Sequence, residues 1–229
     1  MTTCDSLLID VNLPLDKLLK NASHEELVVL TDIVTDKGKG RVSLSNEVNK
    51  LLRHHKARHT LHQVTNRLAV EICAFGGNTL VNMMRSGTVN YREVVLDAAT
   101  KLGAKVPKNA SIIEVEELII QKVLKAKLEN EFSLESIEKI CIQQGVKLDL
   151  DKLKKIKQQG DIFALTSFIL SHAMPYAVFN FLSPAWPIYD LWGPAYRVTI
   201  PAVICIATIR QKWSKSLTDY YCMELKKCL

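Results

Sequence analysis

His55, His59 and His62 stand at i, i+4 and i+7, with His54 beside the first. In one continuous helix this spacing lines three imidazoles along one face, and neutral imidazole is a common ligand for zinc, copper or nickel. The neighbours argue against a metal. Arg53, Lys56 and Arg58 interleave with the histidines and repel a divalent cation, and no carboxylate lies close in sequence to orient the rings. The cluster therefore reads as a solvated basic face, and no metal or cofactor is expected. A metal protein or enzyme built on His55, His59 and His62 is the competing reading.

Two glycine-containing segments invite a similar comparison. Lys37-Gly-Lys-Gly-Arg41 has the composition of a phosphate-binding loop but lacks the GxxxxGK[ST] spacing and a preceding strand, so it reads as a helix stop. Gly76-Gly77 reads as a tight connection between helices. Neither a GxSxG elbow nor a Cys/His signature is present, and the adjacent acids Glu116 and Glu117 read as part of a solvated helix face. No catalytic residue is assigned, and the expectation is a protein that is not an enzyme.

The elements that must position these residues are helical. Ser23-His-Glu-Glu26 and Ser111-Ile-Ile-Glu114 both have capping-box spacing, in which a serine hydroxyl accepts an orphan backbone N–H and the glutamate reaches back. The first predicts a short helix ending in Asp36 to Arg41. Apolar periodicity predicts one long helix from about Ser45 to Phe75. Asn78 and Asn90 can cap two more, the second reaching Gly103, and further helices are expected from Ser133 to Gly145 and from Asp149. No run alternates apolar and polar residues long enough for a sheet, so the chain reads as all-α, a multi-helix bundle.

Composition agrees with a folded chain. Of 229 residues, 48% are apolar and 24% charged, enough to bury a core without disulfides. The formal charge of +6 is spread out, without the aromatic-interleaved basic stripe of a nucleic-acid binder, so no nucleic-acid partner is expected. Six cysteines without a CxxC pair, and an N-terminus without a signal-peptide pattern, predict a cytoplasmic chain. Cys73, Cys141 and Cys205 fall in apolar periodic segments and read as buried thiols.

The most unusual feature follows Gly160. Residues Ile162 to Tyr189 and Val198 to Ile209 contain no Asp, Glu, Lys or Arg. The first arm, Ile162 to Leu182, would be about 31 Å long as a helix, close to the thickness of a bilayer core, yet Ser171, His172 and Pro175 sit at its centre. A Pro/Trp-rich connector leads to Thr199, read as a cap with Pro201 in the first helical turn, and to a second arm of about 21 Å ending at Trp213, too short to span. Lysines near residue 155 and Arg210, Lys212 and Lys215 would flank such a hairpin on one side. Trp186, Tyr189, Trp192, Tyr196 and Arg197 are the predicted membrane or partner contacts, because amphipathic aromatics suit a membrane–water boundary and an arginine suits a lipid phosphate. Arg197 has a second, structural reading, which the polar company of Tyr196 and Thr199 favours: a pair with Asp190 or a cap on helix carbonyls within the bundle.

Three blocks carry a family resemblance: Lys37-Gly-Lys-Gly-Arg41; Phe75-Gly-Gly-Asn-Thr-Leu80 with Arg85-Ser-Gly87 and Tyr91; and Ala195-Tyr-Arg-Val-Thr-Ile-Pro-Ala-Val203. Together, over most of the chain and in order, they resemble the bacterial YaaW-like family of uncharacterised proteins. The resemblance implies a small N-terminal helical domain ahead of a main domain distantly grouped with the ubiquinol-cytochrome c chaperones, and hence a helical assembly factor. It supplies no catalytic residues. The expected organisation is a helical segment over 1–41, an amphipathic helical domain over 42–160 and apolar helices over 161–229. The expected function is a non-enzymatic, chaperone-like accessory protein that binds a hydrophobic protein client or a membrane surface, peripheral to the inner membrane. The alternative is a soluble interaction module whose C-terminal helices are buried core.

Overall fold

The computed structural model describes residues 13–39, 41, 44–76, 89–130, 149–159 and 196–227, and every regular element among them is helical. The eight α-helices described are α1 (Leu15–Lys20), α2 (His24–Thr35), α3 (Asn46–Ala57), α4 (Thr65–Gly76), α5 (Tyr91–Lys101), α6 (Ile112–Asn130), α7 (Leu150–Gln158) and α8 (Tyr196–Lys227), with a 3-10 turn, Leu61–Val64, leading into α4. The all-α expectation holds. The predicted helices at Asn78 and Ser133 and the first arm of the C-terminal hairpin with its connector lie outside the described residues. The chain divides into two compact units, one of residues up to Glu71 together with those from Ile206, the other from Ile72 to Cys205.

In the first unit, α2 begins as its sequence dictates. The Ser23 hydroxyl accepts from the Glu26 N–H at 3.3 Å, and the Ser23 N–H donates to the Glu26 carboxylate at 2.6 Å. The Ser45 hydroxyl likewise accepts from the Val48 N–H at the start of α3. Helix α2 packs on α3 and on the 3-10 turn. Leu18, Leu19, Leu27, Leu30, Ile33, Leu52 and Leu61 are fully buried here, each contributing roughly 1.5–3 kcal/mol by leaving water.

Helix α2 stops within Asp36 to Arg41 as expected, ahead of the glycines: Asp36 (φ 52°) and Lys37 (φ 54°) already have left-handed backbone, and Gly38 (φ 87°) follows. Local hydrogen bonds hold the turn, Lys37 N–H to the Asp32 carbonyl at 2.8 Å and Gly38 N–H to both the carbonyl and the hydroxyl of Thr35 at 3.1 Å. The Arg41 guanidinium donates from two nitrogens to the Ile33 carbonyl, at 3.0 and 3.2 Å, and so caps the last turn of α2.

The predicted helix from Ser45 to Phe75 is two helices. Helix α3 ends at Ala57, His59 takes φ 56°, and the N–H groups of His59 and Thr60 bond back to the carbonyls of Lys56 and His55. This is a Schellman closure with histidine in the position usually held by glycine. The sequence carries no glycine or proline there, so apolar periodicity ran straight through the break.

In the second unit, α5 packs against α6. The Asn90 side chain accepts from the Arg92 N–H at 2.6 Å, and Gly103 (φ 66°) closes α5 through bonds from Gly103 to Thr100 and from Ala104 to Ala99. The Arg92 guanidinium donates to the Ala110 carbonyl at 2.7 Å, tying the loop to α5. The capping box of α6 forms as expected, Ser111 N–H to the Glu114 carboxylate at 2.6 Å and Glu114 N–H to the Ser111 hydroxyl at 3.3 Å. Ser111→Ala is expected to destabilise the fold by about 1 kcal/mol, measured as a lower urea midpoint at unchanged slope. The hydrogen bonds from Ser111 hold the Glu114 carboxyl below its ordinary range. A lowered carboxyl pKa stabilises above the ordinary value and loses that contribution as the pH falls through the lowered one; alanine keeps the Ser111 N–H that supplies the larger part, so only the hydroxyl's smaller share narrows the gap between wild type and variant in acid.

Helix α8 departs most from expectation. It is described from Tyr196 to Lys227, with Thr199 inside it and 2% exposed and with Pro201 in its interior. Proline there removes a single i→i−4 bond, and burial around it keeps the helix continuous. Every residue from Val198 to Arg210 is buried. A helix that is apolar on all sides belongs in a core or a bilayer, and no helix among the described residues is long and apolar enough to cross a membrane.

Candidate functional site

The break after α3 disperses the histidines. His55 Nδ1 lies 2.9 Å from the Thr60 hydroxyl, the His59 ring stacks on His24 with centroids 4.4 Å apart, and His62 donates from Nε2 to the Ala22 carbonyl at 2.8 Å. The three rings therefore do not share one helical face. Each is occupied in packing or hydrogen bonding within the first unit, and no group of three metal-ligating side chains forms among the described residues.

Cationic charge, in contrast, does gather in one place. The turn after α2 and one side of α3 enclose an open cleft of about 500 Å³ lined by Lys37, Gly38, Lys50, Arg53, His54 and Lys56, with Asp32 as its one carboxylate. Lys56 pairs with Asp32, satisfying that carboxylate. Gly38 gives the cleft its shape: a Cβ on this residue would lie 3.3 Å from Arg53 Nε, so only a glycine lets the guanidinium rest against the turn without displacement. The cleft presents N–H donors and positive charge, which suits an anion. In the sequence Arg53 and Lys56 read only as charges opposing a metal, and Lys50 carries no motif of its own. Yet Lys50, Arg53, His54 and Ala57 stand at i, i+3, i+4 and i+7, which is one helical face.

Of the predicted contact residues, Trp186, Tyr189 and Trp192 lie outside the described residues. Tyr196 is half-buried, with Lys101 Nζ 5.3 Å from its ring centre, and burial together with Asp97 raises its phenol pKa. Arg197 is exposed on the first described turn of α8. Arg210, expected as a basic flank at the exit of a hairpin, is instead 3% exposed. Lys212, expected on the same flank, bridges to the Glu26 carboxylate at 3.0 Å within the first unit.

The acids also differ from their sequence reading. Glu116 is 2% exposed and accepts from the buried Tyr91 hydroxyl at 2.9 Å, so it belongs to the packing of α5 on α6 and not to a solvated face. Its neighbour Glu117 is exposed, with its pKa raised by partial desolvation and by Glu114. A one-residue step rotates about 100° around a helix, which is enough to separate the two environments. Burial raises the pKa of Glu71, partly offset by Arg67 at 2.9 Å. Cys73, expected to be buried, is only half-buried, yet desolvation still pushes its thiol up to about 11 and keeps it protonated near neutral pH. Cys205 is buried as expected, whereas Cys141 lies outside the described residues.

Comparison with known proteins locates the chain among relatives. It is 21% identical over 243 aligned residues to a UPF0174 protein of Helicobacter pylori, covering 92% of this chain and 96% of that one. It is 25% identical over 222 residues to the UPF0174 protein YaaW of Escherichia coli, covering 84% of this chain and 92% of the relative. The similarity is to YaaW-like proteins. It supports the resemblance read from the three sequence blocks, and a second Helicobacter pylori UPF0174 protein adds 26% identity over 207 residues. The relatives' names carry no activity and no link to the ubiquinol-cytochrome c chaperones. No family model and no solved structure matches the chain.

Proposed function

We propose that the protein is a non-enzymatic helical accessory protein that acts by binding, with the apolar segment Val198–Ile209 serving as buried core. The burial of every residue from Val198 to Arg210 carries this reading. A hydrophobic helix whose whole circumference is already covered has no apolar face left to offer a bilayer. The non-enzymatic half rests on the sequence, which contains neither a nucleophile elbow nor a Cys/His signature.

A chaperone-like assembly role, with a membrane surface or hydrophobic client as partner, is the second reading. Two sequence observations favour it: the uncharged run from Ile162 to Tyr189, and Trp186, Tyr189 and Trp192 at its end. Neutral phosphatidylcholine vesicles separate the two, because they test apolar insertion without charge. The full chain is expected to remain monodisperse without detergent and not to float with these vesicles. Flotation that Trp186→Ser combined with Trp192→Ser abolishes would overturn the core reading in favour of membrane association.

A further inference from the structure

We propose that the cleft between the α2 turn and α3 binds a phosphate group, carried either by a small soluble phosphate or by a phospholipid head. Four permanent cations, Lys37, Lys50, Arg53 and Lys56, line it against one carboxylate. The Lys56 pair with Asp32 answers that carboxylate. Lys37, Lys50 and Arg53 form no ion pair among the described residues, so three charges from two elements face one space.

The geometry favours phosphate over other anions. A single carboxylate carries one charge and is satisfied by one guanidinium, whereas a phosphoryl group near neutral pH carries more than one charge and offers three acceptor oxygens. Arg53 supplies a planar fork of donors, and the absence of a Cβ on Gly38, which would stand only 3.3 Å from Arg53 Nε, leaves room for that fork beside the turn. Lys37 is held at the cleft by left-handed backbone that a lysine seldom adopts, flanked by Asp36 and Gly38 in the same region. A cleft of about 500 Å³ admits a small molecule or one lipid head. No Phe, Tyr or Trp lines it, so it lacks the stacking platform by which single-stranded nucleic acid is held. This is not a nucleotide loop of the GxxxxGK[ST] kind, because side chains of α3 supply the donors across the turn. The inference is independent of the proposed function, since neither α8 nor residues 162–195 enter it.

The test uses the full chain at low salt, titrated calorimetrically with inorganic pyrophosphate and, separately, sedimented with vesicles of phosphatidylcholine and phosphatidylglycerol in equal parts. Binding is expected in at least one arm. Arg53→Gln should weaken it by roughly tenfold or more, the loss of a charge-assisted hydrogen bond, Arg53→Lys by less, and Lys105→Gln, an exposed cation in the other unit, not at all. Arg53-dependent pyrophosphate binding assigns a soluble phosphate. Arg53-dependent sedimentation without pyrophosphate affinity assigns a phospholipid head, and dependence in both arms upholds the shared chemistry. Arg53 and Lys50 are both exposed, so Lys50→Gln repeats the comparison should Arg53→Gln fold poorly. No binding in either arm, binding that Arg53→Gln and Lys50→Gln leave unchanged, or tighter binding of polyglutamate than of pyrophosphate would overturn the proposal.

Discussion

Glu26→Ala is expected to lower the unfolding free energy by about 2 kcal/mol, seen as a reduced urea midpoint with the slope preserved. One carboxylate does two jobs in the first unit. One oxygen accepts from the Ser23 N–H at 2.6 Å and closes the capping box of α2; the other meets Lys212 Nζ at 3.0 Å. The Glu26 side chain is 5% exposed, whereas that of Lys212 is 38% exposed. Truncation leaves the Ser23 N–H without its side-chain acceptor in a part-buried place, which is the costly loss. Lys212 can turn to water, so its share is screened and small. Glu26→Gln retains an acceptor for Ser23 and gives up only the charge, and about half the effect of alanine is expected. If glutamine proves as harmful as alanine, the ion pair dominates and the capping argument for this residue is wrong.

The same residue shows how far the sequence could be read. The spacing Ser23 to Glu26 predicted the helix start because a capping box is local: both partners lie within four residues and need no knowledge of packing. Ser111 with Glu114 and Asn90 with Arg92 were legible for the same reason. That Glu26 also holds a lysine 186 residues away was not, since nothing local to either residue encodes the encounter. The histidine face failed on a different physical point. Its register assumed an unbroken helix through residue 59, and a left-handed turn at a histidine leaves no glycine or proline to announce it. The basic cleft needed the α2 turn to pack beside α3, so its parts were visible as Lys37, Gly38, Lys50 and Arg53 while their meeting was not. Arg210 and Glu116 mark the opposite limit. Each was given a polar surface by composition, and each is buried because its helix face packs inward.

Ile204→Asp is expected to abolish cooperative folding, the largest effect of any substitution considered. Ile204 is fully buried, midway along the segment from Val198 to Arg210 whose every residue is buried. Replacing it with Ile204→Val removes one methyl and should cost about 1 kcal/mol. Aspartate instead places an unpaired carboxylate where desolvation costs several kcal/mol, a sum comparable with the whole stability of about 5–15 kcal/mol of an ordinary domain. The far-UV circular dichroism melt should lose its sigmoid, and size-exclusion chromatography should show expanded or aggregated chains. The outcome also separates the two functional readings. If the apolar part of α8 exists to meet lipid or a client, the variant should keep the melting profile of the wild-type chain in buffer and lose only its partner. If the segment is core, the fold itself fails, because an apolar helix covered on every side is the surface on which its neighbours close. A variant that melts like wild type would remove the observation on which the core reading stands.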